Sequence, residues 1–165
     1  MHIFLASIPR EEGVMQIRKI VGVSVVFLGA SVLFSETARA GDCSELPDDI
    51  KIECTDSTDL SDSQAAFCGI WGESKWNNVL PHCLAVEKIK PNGAARIVYA
   101  WGKAPQWGIN RSGNTRAKAV IKKDTLNSRL PNGVIVQYRL SGDKLRGKFS
   151  RGGNQGSIVL ERFKN

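Results

Sequence analysis

From Gly69 onward the chain is built of short stretches in which apolar and polar residues alternate, broken by turn dipeptides. Ala95, Ile97, Tyr99 and Trp101 share one face, with Arg96 on the other. Val134, Val136, Tyr138 and Leu140 share a face opposite Gln137 and Arg139. Leu145, Gly147 and Phe149 oppose Lys144, Arg146 and Lys148, and Ile158 and Leu160 oppose Glu161. A period of two is the signature of a strand, and a polar second face is that of a half-solvated antiparallel sheet. The pattern predicts strands over residues 69–76, 82–90, 95–101, 115–122, 125–130, 134–140, 144–151 and 155–163. Pro91-Asn92-Gly93, Pro131-Asn132-Gly133, Ser141-Gly142-Asp143 and Gly152-Gly153-Asn154 supply hairpin signals, because tight turns need residues that accept positive φ. Lys123-Asp124 makes a tight reversal, and a longer loop spans residues 102–114. Eight sequential strands joined by short hairpins form an up-and-down meander, and closure into a barrel removes its exposed edges. The expected fold is therefore all-β, a single eight-stranded antiparallel up-and-down barrel over residues 67–165.

The preceding stretch, residues 41–66, has few large apolar side chains and reads as an irregular arm. Ser61-Asp62-Ser63-Gln64 has the form of a capping box and predicts one short helix from Asp62 to Phe67. Further upstream the pattern changes again. Arg18 and Lys19 precede an uncharged run from Ile20 to Phe34, and Ala38 and Ala40 give an A-x-A ending. This order is that of a cleaved secretory signal over residues 1–40, with Met15 as a second candidate start. The alternative is an uncleaved anchor, but the run is short of the ~20 apolar residues that span a bilayer. Export places the protein in the periplasm or the medium, with no membrane span after cleavage.

Export gives the cysteines a meaning. Cys43, Cys54, Cys68 and Cys83 are an even set in a chain bound for an oxidising compartment, so two disulfides are expected. Three pairings are open, and each would tie down the arm rather than the later strands. The spacings contain no C-x-x-C pair, which argues against a zinc site or a thioredoxin-like motif.

Charge divides the chain. Residues 41–64 carry eight carboxylates (Asp42, Glu45, Asp48, Asp49, Glu53, Asp56, Asp59, Asp62) against Lys51 alone, a net of −7. Residues 65–165 carry 18 Lys and Arg against Glu73, Glu87, Asp124, Asp143 and Glu161, a net of +13. Either both parts are simply solvated, or the arm lies on a basic surface or that surface meets an anion.

Two ends of the expected barrel carry a resemblance. Gly69-Ile70-Trp71 opens the first strand as a G-x-W, and Arg162 stands on the last strand on the face shared by Ile158 and Leu160. This pattern is similar to that of the calycins, the lipocalin- and avidin-like small barrels. The resemblance implies that Trp71 and Arg162 close the barrel floor, the indole accepting the guanidinium on its face. It implies no particular ligand.

Aromatic residues are the clearest binding candidates. Trp76, Tyr99, Trp101 and Trp107 are expected at the mouth, where a small barrel holds one ligand that is partly apolar or sugar-like. The plainer reading assigns Trp71 and Trp101 to the core and Trp76 and Trp107 to the rim. A second expected function is docking of anionic polysaccharide or an acidic protein on a basic wall formed by Arg116, Lys118, Lys122, Arg139, Lys144, Arg146 and Lys148. Nucleic acid is disfavoured, because few aromatics interleave these cations.

Catalysis is not expected, nor a cofactor or metal. His82 is the one histidine outside the signal, and Glu87 lies five residues on, on the opposite face. His82 therefore reads as a strand-end polar residue rather than a base or ligand. There is no G-x-S-x-G elbow for a nucleophilic serine. Glu73, Glu87, Asp124, Asp143 and Glu161 fall mostly in turns or outward positions. The stretch from Asp56 to Asp62 lacks the central Gly and terminal Glu of a calcium loop.

Overall fold

A computed structural model describes residues 43–54 and 58–163, apart from the side chain of Glu73. The expected signal over residues 1–40 and the alternative start at Met15 lie outside the described residues, as do Asp42 and Asp56.

A short helix α1 (Asp62–Ala65) is followed by eight strands: β1 (Gly69–Trp76), β2 (Leu80–Ile89), β3 (Ala94–Trp101), β4 (Gly113–Lys122), β5 (Thr125–Arg129), β6 (Ile135–Ser141), β7 (Lys144–Arg151) and β8 (Asn154–Arg162). Each strand pairs antiparallel with the next and β8 returns to β1, closing the barrel. The alternation along the chain thus gives the expected all-β meander. In α1 the Gln64 side chain accepts the Ser61 backbone N–H at 3.1 Å, as the capping motif requires. The helix stops at Ala65, short of the expected Phe67, because Phe67 turns into the core and is fully buried.

The two Pro-Asn-Gly turns fold alike. Gly93 N–H donates to Lys90 C=O at 2.8 Å and Gly133 N–H to Leu130 C=O at 2.9 Å. In each, the Asn side chain accepts the N–H two residues on, from Ala94 and Val134, both at 3.1 Å. Glycine is required because φ is +82° at Gly93 and +83° at Gly133.

Two bulges decide which side chains enter the barrel. In β1 the register with β2 shifts between Trp71 and Ser74. Trp71 and Trp76 are five apart, so an unbroken strand would send them to opposite faces. The added residue brings both inside, and both are fully buried. In β2 the register with β3 shifts between Val86 and Lys88, so Val86 and Ile89 both stay inside.

The seam between β8 and β1 is held at two points. At the floor the ladder runs through Trp71↔Arg162 and Gly72↔Glu161. At the mouth, Asn77 replaces strand pairing. Its N–H donates to Ser157 C=O at 3.0 Å, and its side chain accepts from Ser157 N–H at 2.8 Å and donates to Gln155 C=O at 3.3 Å.

The arm is fastened to the outside of β1–β4. Cys43 pairs with Cys83 on β2, and Cys54 with Cys68. Glu53 N–H donates to Glu87 C=O at 2.7 Å, and Asn114 Nδ2 donates to Glu45 C=O at 2.8 Å. Gly72 lies under the first disulfide, where a Cβ would sit 2.5 Å from Cys43 Sγ.

This cover corrects the expectation of a uniformly half-solvated sheet. β2 is buried along almost its whole length, and the outward Val98 and Ala100 of β3 are 0% and 1% exposed. A strand covered on both faces carries a near-continuous apolar run, and Leu84-Ala85-Val86 in β2 and Ile97-Val98-Tyr99-Ala100 in β3 are such runs. Among the described residues no helix is long and apolar enough to cross a membrane.

Candidate functional site

The barrel interior is layered. At the floor, the Arg162 guanidinium lies 4.1 Å from the centre of the Trp71 ring. Arg162 also donates to the carbonyls of Cys68 and Ala66, and Trp71 Nε1 donates to Phe67 C=O at 2.9 Å. The polar groups of the plug are therefore satisfied, and the cation–π contact adds about 0.5–2 kcal/mol. Above it Leu84, Val86, Ile97, Leu126, Leu145 and Leu160 fill the lower barrel.

The middle layer is aromatic and polar. It corrects the reading of His82 as a strand-end residue: His82 is 2% exposed and lies between other rings. Its ring is 4.2 Å from that of Tyr99 and 5.3 Å from that of Trp76. His82 Nδ1 is 2.7 Å from Ala100 C=O, which can only accept, so Nδ1 carries the proton. Nε2 then accepts from the Tyr138 hydroxyl at 2.7 Å. Burial pushes the His82 pKa down to about 3, outweighing the carbonyl bond, so the ring is neutral. Burial raises the Tyr138 and Tyr99 hydroxyls as well, so both remain protonated. With both nitrogens committed, the imidazole is a cross-brace between β2, β3 and β6 rather than a base.

Trp76 also belongs to this layer, which corrects its expected place on the rim. It is fully buried, edge-on to Phe149 at 5.2 Å, and does not line the cavity above. Gly147 makes room for it, since a Cβ there would lie 2.9 Å from Trp76 Cη2. The Trp76 indole N–H faces the Tyr99 hydroxyl without completing a hydrogen bond. Among the described residues it is the buried side-chain polar atom left without a partner.

Over this layer lies a cavity of about 860 Å³ at the barrel mouth. Its lining is aromatic and apolar at Tyr99, Trp101, Trp107, Ile109 and Phe149. Trp101 is anchored, its Nε1 donating to Arg111 C=O at 3.2 Å. Trp107 is carried on a single 3₁₀ turn, Pro105–Trp107, closed by Gly108 at φ +71° and by the Ala104↔Ile109 bridge. It is 36% exposed, with its ring 6.1 Å from that of Phe149. The lining is polar at Arg151, Asn154 and Gln155 on the β7–β8 hairpin, at Asn132, and at Asn114 and Thr115 on β4 beside Tyr99. Arg151 is the charged side chain of the lining. Three of the four expected mouth aromatics, Tyr99, Trp101 and Trp107, thus line one cavity. The β7–β8 residues were missed, although hairpins that alternate between the two ends of the meander bring this one to the end away from Gly69-Ile70-Trp71.

The expected basic wall divides. Arg116 is engaged by the arm, 2.6 Å from Asp49 and 3.4 Å from Glu87. Glu87 is 2% exposed beneath the arm and also takes Arg96 at 2.8 Å, while Lys88 meets Glu53 at 3.0 Å. The arm does lie on basic residues, and Glu87 sits outward but buried. The hydrogen bond and charge of Arg116 hold Asp49 below the usual carboxylate range, and Lys88 does the same for Glu53. Lys144 pairs with Glu161 at 2.5 Å and Arg139 with Asp124 at 3.2 Å. Lys118, Lys122, Arg146 and Lys148 form no ion pair among the described residues. No group of three or more metal-ligating side chains occurs among the described residues.

Compared with protein-family models, curated proteins and solved structures, the chain gives no match.

Proposed function

We propose that this is an exported, non-enzymatic binding protein that holds a small ligand in the barrel mouth. The observation that carries the reading is the cavity of mixed aromatic and polar lining above a filled lower barrel. Its volume falls in the ~300–1,000 Å³ range of small-molecule sites. The tryptophans of the lining suit a planar ring or the apolar face of a sugar. Arg151, Asn154 and Gln155 suit hydroxyl, carbonyl or carboxylate oxygens. A ligand with one flat apolar face and one oxygen-rich edge matches this mixed lining. The floor built from Trp71 and Arg162 supports the calycin likeness, and calycin-type barrels bind at the mouth. The two disulfides fit an oxidising compartment, periplasmic or extracellular.

Tryptophan fluorescence tests the reading directly. Titration with a panel of monosaccharides, uronic acids, aromatic acids and fatty acids is expected to shift the emission for at least one class. Trp107→Ala is expected to weaken that response by about tenfold, the scale of a lost aromatic anchor. A panel without any response would sink the proposal.

A further inference from the structure

A second feature lies on the outside of the barrel, on the side the arm leaves bare. Below the Asn77 clamp and above the floor ladder, the β8–β1 seam has no ladder pairs, and a groove of about 690 Å³ follows it. Lys75, Arg139, Arg146 and Lys148 line this groove with Gln137 and Ser157, and no carboxylate among the described side chains lines it.

The strand registers place these cations side by side. Arg139 on β6 stands directly opposite Arg146 on β7, and Gln137 opposite Lys148. Lys148 in turn faces Ser157 on β8. Adjacent strands are about 4.8 Å apart and alternate residues about 7 Å apart, so Arg139, Arg146 and Lys148 crowd one small patch. Like charges directly opposite destabilise a sheet. Asp124 offsets Arg139 at 3.2 Å, but Arg146 and Lys148 have no ion-pair partner among the described residues. On the other side of the barrel the arm supplies the missing anions. Here no described carboxylate does so for Arg146 or Lys148.

We propose that this groove docks an anionic polysaccharide. The cations match repeated carboxylate or sulfate groups, and the Asn78, Gln137 and Ser157 side chains beside them can bond sugar hydroxyls. The groove lacks the buried aromatic or aliphatic anchor that dominates protein–protein binding, with Val159, 38% exposed, as its large exposed apolar side chain. It has no aromatic platform for bases. The seam cannot open to admit a partner strand, because Asn77 and the Trp71↔Arg162 ladder pin it at both ends.

The test uses the exported chain with its disulfides intact and fluorescein-labelled heparin as the probe, read by anisotropy from about 50 to 200 mM salt. The expected result is binding that weakens steeply with salt. Arg146→Gln combined with Lys148→Gln should lower affinity by about tenfold or more and reduce the salt slope by roughly two contacts. Lys51→Gln combined with Lys103→Gln removes the same net charge elsewhere and should change affinity less than about twofold. Heparin should also raise the Tm of the unsubstituted protein and not that of the groove variant, since the anion relieves the Arg139–Arg146 repulsion. Equal losses in both double variants would overturn the proposal, because net charge would then explain the binding. So would absence of binding at about 50 mM salt, or equal affinity for polyglutamate or single-stranded DNA. Trp107→Ala should leave heparin binding unchanged, which separates this surface from the mouth.

Discussion

The wall of β2 and β3 and the wall of β6–β8 belong to one barrel and obey the same alternation, yet their outward residues differ. Outward positions of β2 and β3 include Cys83, Ala85, Glu87, Val98 and Ala100, all nearly inaccessible under the arm. Outward positions of β6–β8 include Gln137, Arg139, Arg146, Lys148, Ser157 and Glu161, all in water. The covered wall tolerates small apolar side chains and a buried carboxylate because disulfides and ion pairs replace solvent. The bare wall keeps uncompensated cations because water screens them. The difference is thus set by what lies on the sheet, not by the sheet.

The largest test removes the cover. Cys43→Ser with Cys83→Ser should cost about 2–5 kcal/mol in urea unfolding. It should also raise amide exchange in β2 and β3 well above that in β6 and β7. Equal exchange on both walls would break the comparison. Acid next probes the interior that both walls share. His82 takes up a proton in the unfolded chain below pH ~6.5 but in the folded chain only near pH 3. Falling pH across that window therefore favours unfolding, by a few kcal/mol at its lower end. A urea-midpoint profile should show this limb, and His82→Phe should flatten it. Asp49 and Glu53, with lowered pKa values, hold their partners until the acid end of the same range.

A smaller effect is expected at the centre of the covered wall. Glu87→Gln should cost about 1–3 kcal/mol, because Arg96 and Arg116 lose a buried charge but keep access to water. Thermal unfolding checks it, and a neutral result would mean that the arm contributes cover without electrostatic grip. The smallest shift belongs to the bare wall. Arg146→Gln with Lys148→Gln should change stability by no more than about 0.5 kcal/mol, as surface substitutions do. A loss as large as that of Glu87→Gln would erase the distinction between the walls.

Much of this was legible in the chain itself. Alternation and turn residues determine the eight strands and their order, because a strand's faces and a hairpin's positive φ are local properties. β1 and β7 match the expected bounds residue for residue. Two disulfides follow from the even count of cysteines. Trp71 and Arg162 announce the floor, since an inward guanidinium needs something to stack on.

Only the tertiary structure decided the rest, in most cases because the partners are far apart along the chain. A one-residue bulge in β1 turned Trp76 from the rim into the core, and no local pattern marks that added residue. His82 became a neutral cross-brace because Tyr138, 56 residues away, supplies the bond its Nε2 needs. Pairing of Cys43 with Cys83 chose which wall the acidic arm covers. That choice left the outward cations of β6 and β7 exposed on the other side of the barrel.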